Sequence, residues 1–282
     1  MRDSVTANLA TLAVVQMTSD TDSEANVAVA LGLCERAADQ GATYVQVPEY
    51  VTFYGSARGF GDAAETVPGP TTARFAELAR RRGVTVHVGS LLERTPAAGR
   101  FHNTSVLIDA TGEIVGVYRK AHLFDIDVPG EVAHHESEAI VAGNDVVAVE
   151  VGGLHVGMTI CFDLRFPELY RRLAREGATV LAIPSAFAAA TGRVHWEVLV
   201  RARAIENHAY VAAAAQVGTT SDGLTSWGHA MVVGPWGEIL AQSRGDEPQL
   251  VIATVDLDEV AKRRAQIDVL TLRRPDLYGE AD

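Results

Sequence analysis

Residues 154–177 read LHVGMTICFDLRFPELYRRLAREG. An apolar stretch of strand character runs straight into Cys161. Shortly afterwards Pro167 takes the early helical position where its missing N–H costs nothing, and Gly177 closes the helix. ATVLAIP (178–184) follows as the next strand. Strand, turn, helix, strand is the repeating unit of an α/β fold. A thiol at such a turn is expected at the sheet edge, beside free backbone amides able to receive an oxyanion. An unpaired cysteine among apolar residues is more often an inert core filler.

The alternation extends both ways. LATLAVVQM (9–17) reads as a first strand, followed by a helix from about Glu24 to Asp39 introduced by TDSE, a capping-box spelling that assigns the cap to Thr21 and Glu24. ATYVQV (42–47) is a strand stopped by Pro48. A helix from about Thr72 to Arg82 leads to VTVHVGSLLE (84–93), and NTSVLI and IVGVYR form a hairpin around DATGE (109–113). Residues 121–139 carry His, Pro, Gly and Glu without periodicity, and irregular stretches of that length are usually functional. Beyond the central unit come a helix from about Val194 to Asn207 with Val194, Val198, Ala202 and Ile205 on one face, the strand AYVAAAAQV (209–217), a hairpin turning at Pro235–Gly237 and a last strand, LVIATVDL (250–257). No linker or repeat divides these units, so one domain over residues 1–282 is expected, with its core at about 12–279.

Composition bounds the function. The chain has 282 residues, 48% hydrophobic and 21% charged, which excludes a disordered tail protein. Its net charge of −12 argues against a polyanion partner, and Arg80–Arg82 fits the solvated basic last turn of a helix, so no nucleic acid is expected. Only Cys34 and Cys161 occur, far apart, as in a reducing, cytoplasmic protein. The longest rival for a membrane span, TVLAIPSAFAAA, is broken by Pro184 and Ser185, and the leading MRDSVTAN, pairing Arg2 with Asp3, lacks the basic character of a signal peptide.

Two further residues sit where predicted strands end. Glu49 closes ATYVQVPEY, and a carboxylate held there in a partly desolvated cleft could serve as a general base; alone, it reads more readily as a solvated loop residue. Lys120 follows IVGVYR, and a lysine buried beside Glu and Cys would stabilise thiolate and oxyanion, whereas a lone lysine is ordinarily a surface charge.

Together the strings VPEY, YRKAHLFDIDVPG, ICFDLRFPELYR, PSAF, TGRVHWEVLVRARAIEN, WGHAMVVGPWGE and RRPDLYG resemble the nitrilase superfamily of carbon-nitrogen hydrolases. Within it they resemble the Nit branch of omega-amidases and deaminated-glutathione amidases, from about Leu12 to Gly279. The resemblance implies a four-layer αββα sandwich, usually dimerised through helices. It also implies Glu49 as general base, Lys120 as the oxyanion-stabilising lysine, Cys161 as nucleophile and Glu136 as a second glutamate that orients the lysine. The Phe162 backbone amide is the implied oxyanion donor, although many relatives carry tyrosine there. Arg165 and Thr191 match positions that help hold a substrate carboxylate; a structural ion pair and a helix cap are the plain alternatives.

This chemistry needs no metal or cofactor. The thiol ionises near pH 8.5 when free, and an adjacent lysine and a helix N-terminus are expected to favour its thiolate. Nine histidines occur without HExxH or paired-cysteine spacing, His134 and His135 read as solvated, and no nucleotide-binding glycine motif is present. The favoured expectation is an amidase that takes a small-molecule amide and water and releases ammonia from a small carboxylate-bearing acid. The alternatives are a carbamoyl-amide hydrolase and a non-catalytic thiol-sensing protein on the same fold. Cys34 is expected to face the core of its helix.

Overall fold

The first strand explains the layering. The computed structural model describes residues 8–128 and 132–278, so Arg2, Asp3, Pro129, Gly130 and Gly279 of the segments above lie outside the described residues. Along β1 (Leu9–Met17) side chains alternate between two cores. Leu12 and Val14 join one that continues into a second sheet, while Ala13, Val15 and Met17 join another lined by helices. A strand buried on both faces needs cover on both sides, and two helices and a second sheet supply it.

In chain order the remaining strands are β2 (Tyr44–Gln46), β3 (Thr85–Arg94), β4 (Phe101–Ile108), β5 (Ile114–Arg119), β6 (Asp125–Val128), β7 (Val132–His135), β8 (Ala148–Val151) and β9 (Leu154–Met158). They continue as β10 (Val180–Ala182), β11 (Tyr210–Ala213), β12 (Ala215–Thr219), β13 (Thr225–Trp227), β14 (Met231–Val233), β15 (Ile239–Gln242) and β16 (Gln249–Asp256). The helices are α1 (Ser23–Asp39), α2 (Phe60–Ala63), α3 (Pro70–Arg82), α4 (Pro167–Arg175), α5 (Ala189–Asn207), α6 (Asp258–Gln266) and α7 (Pro275–Tyr278). One sheet runs β13-β12-β1-β2-β3-β4-β5 with β16 also on β1, and the other runs β15-β14-β11-β10-β9-β8. Val27, Ala30 and Leu33 of α1 and Phe75 and Leu78 of α3 cover the first sheet. Leu169, Tyr170 and Leu173 of α4 and Trp196, Val200 and Ala204 of α5 cover the second, which completes the αββα sandwich the sequence led us to expect.

Several local expectations are corrected. The cap of α1 is Asp22, whose carboxylate accepts from Ala25 N at 3.0 Å, while Glu24 turns outward to Arg74 at 2.8 Å. Asp22 wins over Thr21 because the helix begins one residue later than the TDSE spelling requires. Helix α5 begins at Ala189 and buries Trp196, Val200 and Ala204; Val194, Val198 and Ile205 are 63, 66 and 46% exposed. Two stripes with helical spacing compete on this helix, and the one holding the large indole takes the core. The stretch read as irregular contains the antiparallel pair β6 and β7, which among the described residues joins neither large sheet and so lacks the alternation a core imposes. AYVAAAAQV is two strands, one in each sheet, meeting at Ala214. Arg81 and Arg82 at the end of α3 pair with Glu35 and Asp39 of α1.

Candidate active site

Strand ends deliver the reactive side chains to one place. Beyond β2 the chain passes through Val47 and Pro48 to Glu49 and lies so close to β3 that a Cβ on Gly89 would fall 2.0 Å from the Val47 carbonyl oxygen. Glycine there is a condition of the approach. Gln216 Nε2 donates to the Glu49 carbonyl at 2.9 Å. Lys120 follows β5, with its own N–H on Asn103 O at 2.9 Å. Cys161 opens a single 3-10 turn (Cys161–Arg165) after β9 with φ of 45°, a left-handed conformation costly for a residue with a side chain; its N–H donates to Pro184 O at 3.0 Å. The thiol was expected exposed at the sheet edge, yet it is buried, because the PSAF segment and the Glu49 turn close over it.

The four buried groups form one network. Lys120 Nζ donates to Glu49 Oε1 at 3.0 Å and to Glu136 at 3.1 Å (Oε1) and 2.8 Å (Oε2). Glu49 Oε2 accepts from Ala186 N at 2.7 Å. Glu136 also accepts from Tyr50 OH at 2.8 Å and Phe124 N at 2.7 Å. Burial opposes charge on every member. For Lys120 the two carboxylates outweigh it, so the ammonium stays charged well above the usual lysine range. Burial would raise Glu136, but Lys120 and the hydrogen bonds hold it below the ordinary carboxylate value. Cys161 goes the other way: burial and then the neighbouring Glu49 charge push its thiol well up, with Lys120 only partly offsetting them. Enclosure thus works against the thiolate that the lysine and the helix N-terminus were expected to favour.

These groups open into a cavity of about 640 Å³ walled by Tyr50, Phe53, Tyr54, Phe60, Phe124, Phe162 and Phe187. Phe162 N–H has no acceptor among the described residues. Thr191 lines the cavity, its hydroxyl donating weakly to Ala188 O at 3.5 Å. Arg165 is not among the lining residues: its guanidinium lies over the Phe162 and Phe187 rings at 5.7 and 5.3 Å and meets His195 Nδ1 at 3.4 Å. His134 and His135, expected merely solvated, are exposed but form part of the cavity wall. Among the described residues no group of three His, Cys, Asp or Glu side chains is placed to hold a metal ion.

Two buried residues of the site escaped sequence reasoning. Asn103, inside β4, donates from Nδ2 to Glu49 Oε1 at 2.9 Å and Glu136 Oε1 at 3.2 Å, while its Oδ1 is buried without a partner. Asp163 ties the Cys161 turn to the segment after Lys120. It accepts from Ile160 N at 2.8 Å, Tyr118 OH at 2.8 Å, and His122 N and Nδ1 at 3.0 and 2.7 Å. The signal for Asp163 lay in CFDLRF itself, where an acid is enclosed by apolar residues.

A buried thiol, carboxylate and ammonium thus meet at strand ends of an αββα sandwich, and residues 11–265 match the carbon-nitrogen hydrolase family, to which the chain belongs. It is a hydrolase that acts on amides. It is 38% identical over 268 residues to an omega-amidase (NIT2) of Homo sapiens, covering 95% of this chain and 96% of that protein. It is likewise 38% identical over 286 residues to a deaminated glutathione amidase of Mus musculus, covering 99% and 88%. Among solved structures it resembles the NitFhit protein of C. elegans with a TM-score of 0.89 and 39% identity; the match covers 96% of this chain and 66% of that longer one.

Proposed function

We propose that the protein hydrolyses the terminal amide of a small carboxylate-bearing acid through a thioester on Cys161. The observation that carries this reading is the burial of Glu49, Lys120 and Glu136 against the Cys161 thiol in one cavity. As Sγ attacks the amide carbon, its proton passes to Glu49 and the carbonyl electron pair moves onto oxygen. One Lys120 N–H suffices for Glu49 and a second can fork across both Glu136 oxygens, which leaves the third for the oxyanion beside the unbonded Phe162 amide. Glu49 returns the proton to nitrogen as the C–N bond breaks, ammonia leaves, and a water activated by Glu49 cleaves the thioester. Omega-amidase and deaminated glutathione amidase are the names its relatives carry, and a mutant of an amidase of Nesterenkonia sp., 27% identical, has been crystallised with the acetamide moiety of fluoroacetamide added covalently at its active-site cysteine. Both fit this reading. The exposed stripe of Val194, Val198 and Ile205 on α5 fits pairing of two copies through helices.

The test is a panel of ω-amides of dicarboxylic acids, γ-glutamyl-type amides and carbamoyl amino acids, assayed side by side for ammonia and carbon dioxide. Ammonia alone, from the carboxylate-bearing amides, is expected. Arg165 stands behind the cavity-lining Phe162 and Phe187, so it serves as the substrate handle only by reaching past them; in that case Arg165→Met should lower kcat/KM about 30-fold or more for a carboxylate-bearing amide and little for its methyl ester. Equal losses on both would make Arg165 a brace for Phe162 and Phe187 and leave Thr191 as the substrate handle.

A further inference from the structure

Four carboxylate oxygens crowd the buried site, and their hydrogen bonds are unequal. Glu136 Oε1 accepts from Tyr50, Asn103 and Lys120, and Glu136 Oε2 from Phe124 N and Lys120. Glu49 Oε1 accepts from Asn103 and Lys120. Glu49 Oε2 accepts a single N–H, that of Ala186, among the described residues. An sp² oxygen with two donors has no lone pair left for a proton, whereas one with a single donor has. We propose that Asn103 is a positioning residue: by sharing Nδ2 between Oε1 of Glu49 and Oε1 of Glu136, it makes Glu49 Oε2 the single oxygen through which the reaction's proton passes.

The inference rests on the amidase reading above and deepens it. Lys120 alone does not fix the choice, because its ammonium is free to rotate about the Cε–Nζ bond while its third N–H meets the oxyanion. The planar amide of Asn103 cannot rotate in that way; together with one Lys120 N–H it keeps both lone pairs of Glu49 Oε1 taken. Its buried Oδ1 is left unpaired, a cost that an apolar side chain of the same size would avoid, so the residue is held for its N–H. The proton path balances on one atom. Oε2 takes the thiol proton as the S–C bond forms, gives it to nitrogen as C–N breaks, takes a proton from the attacking water, and returns it to sulfur as the thioester opens.

Asn103→Leu keeps the volume and removes the donor. A carboxylate that loses a donor holds its proton more tightly, so the acid limb of kcat/KM should move up by about one pH unit, a tenfold change in proton affinity. kcat should fall about 10- to 100-fold with KM nearly unchanged, since the contact concerns proton transfer and not substrate. The charged and titratable groups facing Glu49 are Lys120 after β5, Glu136 after β7, His134 on β7, Tyr50 and Tyr54 beyond β2, and Cys161. All of them stay in the variant, so the shift reads Asn103. Asn103→Ser, smaller and still polar, should shift the limb in the same direction and serves if the leucine variant does not fold. The pH dependence of Cys161 alkylation by iodoacetamide reads the same transfer without turnover, which separates failure of this inference from failure of the amidase reading. Unmoved acid limbs for turnover and alkylation in a folded variant would overturn the proposal, as would a loss confined to KM.

Discussion

Replacing Lys120 by Met tests the electrostatics of the site most directly. The substitution keeps an unbranched chain of similar length and deletes an ammonium that contacts Glu49 at 3.0 Å and Glu136 at 2.8 Å, all three side chains being buried. What remains is two enclosed carboxylates bridged by the neutral Asn103 amide. Breaking a buried ion pair from one side costs about 3–5 kcal/mol. Two carboxylates this close do not both stay ionised, so the pair takes up a proton at a pH where the wild-type pair has none. The sign of the pH effect follows. In the wild type Glu136 is held below its ordinary value, so its contribution to stability is present at neutral pH and is lost only as pH falls through that depressed value. In the variant, protonation relieves the repulsion already under mild acid. The stability deficit, measured by urea unfolding, should therefore be about 3–5 kcal/mol at pH 7.5 and shrink towards pH 5 by up to about 1.4 kcal/mol per unit. Ammonia release should fall by roughly 100- to 1,000-fold or more from loss of the oxyanion donor. A deficit below about 1 kcal/mol at pH 7.5, or one that grows on acidification, would refute the view that Lys120 is what lets both glutamates stay charged.

Two more expectations follow from burial. Cys161→Ala should abolish turnover with the fold intact, and iodoacetamide should label native wild-type protein at Cys161 but not at Cys34, which is fully enclosed by its helix packing and has a thiol pushed up to about 12; peptide mass mapping decides. His87 lies between Tyr44 OH at 2.7 Å and Ser105 Oγ at 2.6 Å, and burial pushes it down from 6.5 to about 3. Because the unfolded chain takes the proton that folded His87 refuses, wild-type stability should fall by about 1.4 kcal/mol per unit between pH 6 and pH 5, and His87→Gln should flatten that slope in urea unfolding.

What the sequence made legible was local. Glu49, Lys120 and Cys161 each follow a short run of strand-forming residues, and the runs themselves predict where the three side chains emerge. The layering came from the family resemblance; the structure gives its physical reason, a first strand buried on both faces. Partners across the fold were not legible. Asn103 opens NTSVLI like any polar residue at a strand start, and only the register of β4 against β3 and β5 brings its amide to two glutamates distant in sequence. Which face of α5 is buried was not legible because periodicity fixes the spacing of a helical face and not its direction; Trp196 decides that through the volume it fills. The upward push on the Cys161 thiol was not legible because it comes first from burial, which no neighbouring residue in the sequence announces.

The strand that changes sheets has a mechanical consequence. Residues 212–216 pass from β11 to β12, and along the way Ala212 O and Ala214 O accept from Ile183 N and Ser185 N, and Gln216 N donates to Ser185 O. That neighbouring segment supplies Pro184 O to the Cys161 amide and Ala186 N to Glu49, while Gln216 itself grips the Glu49 carbonyl. Nucleophile and base, though borne by different sheets, are thus gauged from a common ruler. Sliding of one sheet over the other would have to shear this short alanine bridge, so the distance between sulfur and carboxylate is insulated from the softest collective motion a two-sheet sandwich has.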